Sequence, residues 1–253
     1  MRNFKTIILI FVASFGWAQT PKKLVWEENF NNTELNEKVW NFELGDGCPN
    51  ICGWGNNESQ FYTKENHEIK DGILIIHPKK ENEKYTSTRI TTKDKKEFQY
   101  GRMEVRAKLP AGKGLWPAFW MLGSNISKVG WPQCGEIDIL EYVGKNPGTI
   151  YTTLHTTDSH GESKNSKITK IENIENGFHI YAIDWTKDKI DFYVDQKLVY
   201  TFAPKNKTEE IWPYNQPFYF IINVAIGGNF GGFEIDDTAF PQTFEIDYIR
   251  VYQ

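Results

Sequence analysis

Phe244-Glu-Ile-Asp-Tyr-Ile-Arg-Val-Tyr252 interleaves apolar and polar side chains along its length. A period of two is what a strand shows when one face packs on a core and the other meets solvent. Arg102-Met-Glu-Val-Arg-Ala107 reads the same way, and Gly72-Ile-Leu-Ile-Ile-His77 and Ile190-Asp-Phe-Tyr-Val194 are further β-rich runs. Asp71-Gly72 and Val194-Asp195-Gln196 mark hairpin turns. From Leu24 onward such runs recur with turn signals between them, without a repeat, a low-complexity tract or a linker. Convincing amphipathic helices are absent; Thr33–Val39 has room for one turn or two. Many short strands without helices predict an all-β fold, a jelly-roll β-sandwich of two antiparallel sheets in one domain.

The 253 residues are 40% hydrophobic, 25% charged and 15% aromatic, with a formal net charge of −4. So many aromatic side chains exclude a solvated, disordered chain. Lys and Arg are scattered, which leaves no basic footprint for nucleic acid. Arg2 and Lys5 precede an apolar run from Ile7 to about Phe15, and Gly16-Trp-Ala18 puts small residues where a signal peptidase reads. The run is too short to span a bilayer, so residues 1–18 read as a cleaved secretory signal, the alternative being a buried N-terminal strand. Export to the periplasm or the medium follows. Cleavage would leave one domain, 19–253, with a net charge of −6 and no membrane association. Cys48, Cys52 and Cys134 allow one bridge and three pairings, of which local closure of Cys48 on Cys52 is favoured.

Chemistry concentrates in Gly135-Glu-Ile-Asp-Ile-Leu-Glu-Tyr142. Glu136 and Asp138 are two apart and share a face, whereas Glu141 would point the other way on a regular strand. One extra residue in a β-bulge at Ile139-Leu140 restores the phase and brings all three carboxylates to one side. Such crowding costs stability unless something uses it. A retaining glycosidase does: one carboxylate attacks the anomeric carbon and another, about 5–5.5 Å away, protonates the leaving oxygen. In this reading Glu136 is the nucleophile, Glu141 the general acid and later the base, and Asp138 the partner that tunes Glu136. Negative charge on Glu136 raises the pKa of Glu141 and holds its proton. An acidic solvent-facing strand and a calcium site made of the carboxylates are the plainer readings, and neither accounts for the flanking sequence.

Sugar rings stack their apolar faces on aromatic side chains and present hydroxyls to amides and Arg. Trp116-Pro-Ala-Phe-Trp120 precedes the acidic strand, Trp131 lies just before it, and Gly53-Trp-Gly-Asn-Asn-Glu58 is a polar, glycine-punctuated loop. Arg89 and His155 fall near strand centres or ends. Taken singly, each Trp is more often core than platform, and His155 more often structural. Phe119, between two outward candidates, reads as core.

Glu136-Ile-Asp-Ile-Leu-Glu141 resembles the signature of glycoside hydrolase family 16, in the bulged form of its laminarinase-like members. Gly53–Glu58, Tyr100-Gly-Arg-Met-Glu104, Trp116-Pro-Ala-Phe-Trp-Met-Leu-Gly123, Ile222-Asn-Val-Ala-Ile-Gly-Gly228 and Ile246–Tyr252 resemble its other blocks in order. The resemblance thus covers residues 24–252. It implies a monomeric jelly roll with a long cleft on its concave face and retaining endo-hydrolysis of β-glycans. It assigns Glu136, Asp138 and Glu141 the roles above, and sets Asn56, Arg89, Trp116, Trp120 and His155 along the sugar subsites; Trp131 joins them as a substrate-binding candidate from its place just before the acidic strand.

No cofactor for catalysis is implied, although many members hold a structural calcium on the convex side. The matching positions are Glu28, the carbonyl of Gly72 and Asp247. This chain reads Trp26-Glu-Glu-Asn-Phe30 where relatives commonly have an Asp-Glu pair before the Phe. Among substrates, mixed-linkage lichenases usually carry a shorter, unbulged signature, and sulfated galactans call for cationic groups that the aromatic blocks lack. The resemblance therefore favours β-1,3-glucan, with mixed-linkage glucan or a galactan as alternatives. A non-catalytic carbohydrate-binding jelly roll would keep Trp116, Trp120 and Asn56 but has no use for three carboxylates.

Overall fold

The alternation that ends the sequence becomes one strand, Phe244–Tyr252, with Phe244, Ile246, Ile249 and Val251 fully buried. Its pattern slips by one between Ile246 and Ile249 because Asp247 is the extra residue of a bulge opposite Arg106 and Ala107. In the computed structural model, which describes residues 22–253, this strand lies inside the first of two large antiparallel sheets. The order is Lys197–Phe202, Ile190–Val194, His179–Trp185, Gly101–Lys108, Phe244–Tyr252, Ile73–Ile76, His67–Lys70, with Leu24–Glu28 also paired to Phe244–Tyr252. The second sheet runs Ser166–Lys170, Thr149–His155, Glu136–Tyr142, Leu115–Gly123, Phe218–Ile226, Arg89–Thr91, Asn41–Phe42. This is the jelly-roll sandwich that the sequence predicts. The leader proposed at residues 1–18 lies outside the described residues.

The sheets close on each other through interdigitated large side chains. Trp185 of the first meets Phe218 of the second edge-on at 5.3 Å, while within the second sheet Phe119 stacks on Phe220 at 5.1 Å. All four are buried, each side chain contributing about 1.5–3 kcal/mol by leaving water. Both expected hairpins form with two consecutive positive φ angles, at Asp71 (53°) and Gly72 (76°) and at Asp195 (47°) and Gln196 (66°). Such turns carry the twist that antiparallel neighbours need.

One segment keeps to the sequence reading and a small extra sheet departs from it. Thr33–Val39 makes a single turn at its end, where the Asn36 carbonyl accepts from Val39 N and Trp40 N at 2.8 and 2.9 Å. The rest stays irregular because Leu35, Val39 and Trp40 must all reach the core. A third, three-stranded sheet adds Gln60–Tyr62, Lys84–Ser87 and Lys79–Glu81, the first two paired in parallel. The structure joins Cys48 to Cys52 and leaves Cys134 buried and unpaired.

Gly144, just past the acidic strand, has no room for a side chain: a Cβ there would lie 1.7 Å from the Gly112 carbonyl oxygen. Gly144→Ala is therefore expected to cost about 3 kcal/mol or more, lowering Tm by roughly 10 °C in thermal unfolding.

Candidate active site

Register across the second sheet assembles the site. Along Glu136–Tyr142, Leu140 pairs with Phe119 and Asp138 with Trp120, so Ile139 is the additional residue on that side. On the other side the pairing shifts between Asp138↔Thr153 and Glu141↔Tyr151. Ile139 and Leu140 both go into the core, and Glu136, Asp138 and Glu141 emerge together on the opposite face. Cross-strand rows then fix their neighbours. One row reads Arg89, Asn223, Ala118, Glu141, Tyr151; the next contains Ile221, Trp120, Asp138 and Thr153; a third contains Tyr219, Leu122, Glu136 and His155.

Around the carboxylates each donor is specific. Trp131 Nε1 donates to Glu136 Oε2 at 2.7 Å, and Trp116 Nε1 to Glu141 Oε1 at 3.0 Å. His155 Nε2 lies 3.3 Å from Asp138 Oδ2 and 3.8 Å from Glu136 Oε1. Tyr214 clasps the paired strands by donating to the carbonyls of Glu136 and His155, at 3.3 and 3.1 Å. Asp138 is 3% exposed.

Burial among like charges pushes all three carboxyls up. Desolvation leads, followed by the Asp138 charge, in raising Glu136 to about 8, with His155 opposing. Asp138 rises to about 7 through desolvation. Glu141 is held well above the ordinary range, first by desolvation and then by Asp138. Three such groups do not all ionise at neutral pH, so the cluster keeps protons that chemistry can use.

A second cluster continues along the face. The Arg89 guanidinium sits between two indoles, 4.4 Å from the Trp54 ring and 5.0 Å from Trp120, and its Nε pairs with Glu43. Trp120 Nε1 donates to Asn223 Oδ1 at 2.8 Å, and Asn223 Nδ2 donates to the Tyr62 hydroxyl at 3.1 Å. Tyr62 in turn donates to Glu58, which also receives Gln60 and Asn56. Trp54 holds a φ of 51°, rare for a bulky residue, within a loop where Gly53, Gly55 and Asn57 are also left-handed. That loop delivers Asn56 and turns the Trp54 ring onto Arg89.

The structure thus gathers Glu136, Asp138, Glu141, Trp116, Trp131 and His155 in one group, and Asn56, Arg89 and Trp120 in the adjoining one. Sequence reasoning missed Trp54, Glu43, Glu58, Tyr62, Asn223 and Tyr214. Glu58, Gln60 and Tyr62 alternate onto one face, and Asn223 is an amide inside an apolar strand; those were the available signals.

The three calcium positions are apart from this face. The Glu28 carboxylate accepts from Phe30 N at 3.0 Å and Trp40 Nε1 at 3.2 Å, and Asp247 pairs with Arg106. Gly72 lies beside the Asn29 carbonyl and the Asn31 side-chain oxygen. Oxygen donors of this kind suit a hard cation at the Gly72 end, whereas Asp247 is engaged by Arg106.

A laminarinase from Flavobacterium sp. UMI-01 is 71% identical, with a TM-score of 0.90 over 91% of this chain and 100% of that one. The laminarinase catalytic domain of Thermotoga maritima is 42% identical, with a TM-score of 0.87 over 92% and 98% of the two chains. A β-glucanase of Rhodothermus marinus is 39% identical over 99% of this chain and 93% of its own length. The model of the glycosyl hydrolases family 16 matches residues 54–250. With the bulged carboxylate strand on the sheet face and these matches along the whole domain, the chain belongs to the glycosyl hydrolases family 16.

Proposed function

We propose that the protein is a secreted, retaining endo-β-1,3-glucanase acting on laminarin-type β-glucans. The observation that carries the mechanism is the triad of carboxyls on one face with a different partner for each. Trp131 and His155 favour the charged form of Glu136, which attacks the anomeric carbon. Trp116 occupies Glu141 Oε1 and leaves Oε2 to carry the proton to the glycosidic oxygen. The bond from sugar to leaving oxygen breaks as the bond to Glu136 forms, giving a covalent glycosyl-enzyme. Glu141, now a carboxylate, takes a proton from water, and the hydroxide displaces Glu136 with net retention. Asp138 stays in contact with Glu136 and shares its proton load. Because burial raises Glu136 to about 8 in the free protein, the acid limb of kcat/KM should lie above the ordinary Glu range near 4.5. The likeness to the Flavobacterium laminarinase supports β-1,3-glucan as substrate.

Product analysis on laminarin, mixed-linkage glucan, agarose, carrageenan and xyloglucan tests this. Short β-configured oligosaccharides from laminarin are expected first. Cleavage confined to a galactan would overturn the substrate, and binding without hydrolysis would overturn the enzyme. Secretion is tested by N-terminal sequencing of exported protein, which should begin at Gln19.

Tyr62→Phe removes the hydroxyl that links Glu58 to Asn223 and strands the Asn223 amide. An unsatisfied buried donor costs about 1–3 kcal/mol. The expected result is KM for laminarin raised roughly 10-fold with kcat little changed. A fall in kcat alone would place this network at the reacting bond.

A structural calcium belongs to the same proposal, held at Glu28 and the Gly72 carbonyl, with Asp247 joining once it releases Arg106. Chelation should then lower Tm by several degrees without altering kcat at temperatures below unfolding.

A further inference from the structure

Among the described residues, no donor reaches the buried Asp138 Oδ2 and no acceptor the buried His155 Nδ1. The first faces His155 Nε2 at 3.3 Å, while Glu136 Oε1 lies 3.8 Å from that same nitrogen. One ligand atom from each of the three residues falls within 4.8 Å of the other two. In a tetrahedral Zn²⁺ site with bonds of about 2.0–2.2 Å, neighbouring ligand atoms stand ~3.3 Å apart. The His155–Asp138 edge already has that length, and the His155–Glu136 edge needs only a small side-chain closure. The backbone frame is fixed, because Glu136 and His155 are cross-strand partners and Asp138 follows two residues on. Coordination through Nε2 places the ring proton on Nδ1, where none of the described residues accepts it.

We propose that Glu136, Asp138 and His155 bind one divalent transition-metal ion of the Zn²⁺ or Cu²⁺ class, which seats where the anomeric carbon is attacked and blocks the enzyme reversibly. One imidazole and two carboxylates form a donor set of nitrogen and oxygen that suits borderline metals, with a fourth position open toward the cleft. The double positive charge relieves the repulsion between the carboxylates. Each ligand contributes an electron pair, and the proton that Glu136 and Asp138 share passes to solvent. Binding itself is independent of the glucanase reading; only the block rests on it. Elsewhere, His179–Asp195 and His77–Glu68 offer two ligands each.

The whole protein is titrated with Co²⁺ in excess Ca²⁺, which fills any oxygen-only site, and Zn²⁺ is then added as competitor. The expected result is one Co²⁺ per chain with the intense visible band of a four-coordinate site, lost on one equivalent of Zn²⁺. Zn²⁺ should raise KM for laminarin with kcat unchanged, and a chelator should restore it. His155→Ala and Asp138→Asn, checked for folding by circular dichroism, should each weaken Co²⁺ binding on the order of 100-fold, since even outer-shell changes cost 10–100-fold. A weak six-coordinate spectrum, affinity unchanged in both variants, loss on His179→Ala instead, or Zn²⁺ lowering kcat without touching KM would each overturn the proposal. If no glucan were cleaved, the Co²⁺ titration would still decide the metal site, so the two readings fail separately.

Discussion

Glu141→Ala is expected to lose about 10²–10⁴-fold in kcat on laminarin, the usual scale of general acid–base catalysis. The loss arises at both steps, since Glu141 delivers the proton to the leaving oxygen and later removes one from water. Added azide should restore turnover and yield the β-glycosyl azide. An anion needs no base, and it enters from the face that Glu136 has left open by attacking from the other. In Glu136→Ala the first displacement has no nucleophile, so azide would itself attack and give the α-azide. Product anomers read by proton NMR decide between these. An α-azide from the Glu141 variant would exchange the two roles.

Glu136→Gln should kill hydrolysis and yet make the protein more stable at neutral and alkaline pH. A carboxyl whose pKa is raised on folding, here from 4.5 to about 8, binds its proton more tightly folded than unfolded. Its contribution to stability is fully present below about 4.5 and is lost as pH rises through about 8, at up to ~1.4 kcal/mol per unit. The amide avoids this loss and also offers a donor toward Asp138 Oδ2, which otherwise has none. We expect a gain of about 2–3 kcal/mol near pH 8, or roughly 5–10 °C in Tm, shrinking to nothing near pH 4. A gain that stayed constant from pH 4 to pH 8 would mean that the effect is packing and not charge.

What was legible in the sequence was whatever depends on neighbours along one strand. The alternation at Phe244–Tyr252 gives the fold class, and the odd spacing from Asp138 to Glu141 gives the bulge, because phase is a local property. The pairing of Gln60–Tyr62 with Lys84–Ser87 is parallel and links segments far apart in the chain, which no local pattern reports. Arg89 and Asn56 stand out in the sequence only as an Arg near a strand end and an amide in a polar loop, and family resemblance sets them at the sugar subsites. Their partners explain why: Trp54 acts through a left-handed backbone, Glu43 through a contact across strands, and Asn223 through a row that brings it between Arg89 and Ala118. The Glu58, Gln60 and Tyr62 face was readable, but its meaning depends on Asn223, which lies 161 positions from Tyr62.

The bulge at Ile139-Leu140 also governs which length changes this segment can survive. Two residues there occupy the place of one, so loss of Ile139 alone would leave Glu136, Asp138 and the glutamate all facing outward on a regular strand. The glutamate would stay about two residues' rise from Asp138, because the bulge already sets Glu141 opposite Ala118 and Asp138 opposite Trp120. Deleting or adding a residue elsewhere between Glu136 and Glu141 would turn one carboxylate into the core against Phe119 or Met121. Substitutions in this strand are thus limited by chemistry, whereas insertions and deletions are limited by parity. Drift in a lineage would be free to step between the bulged and the regular length, and closed to every other.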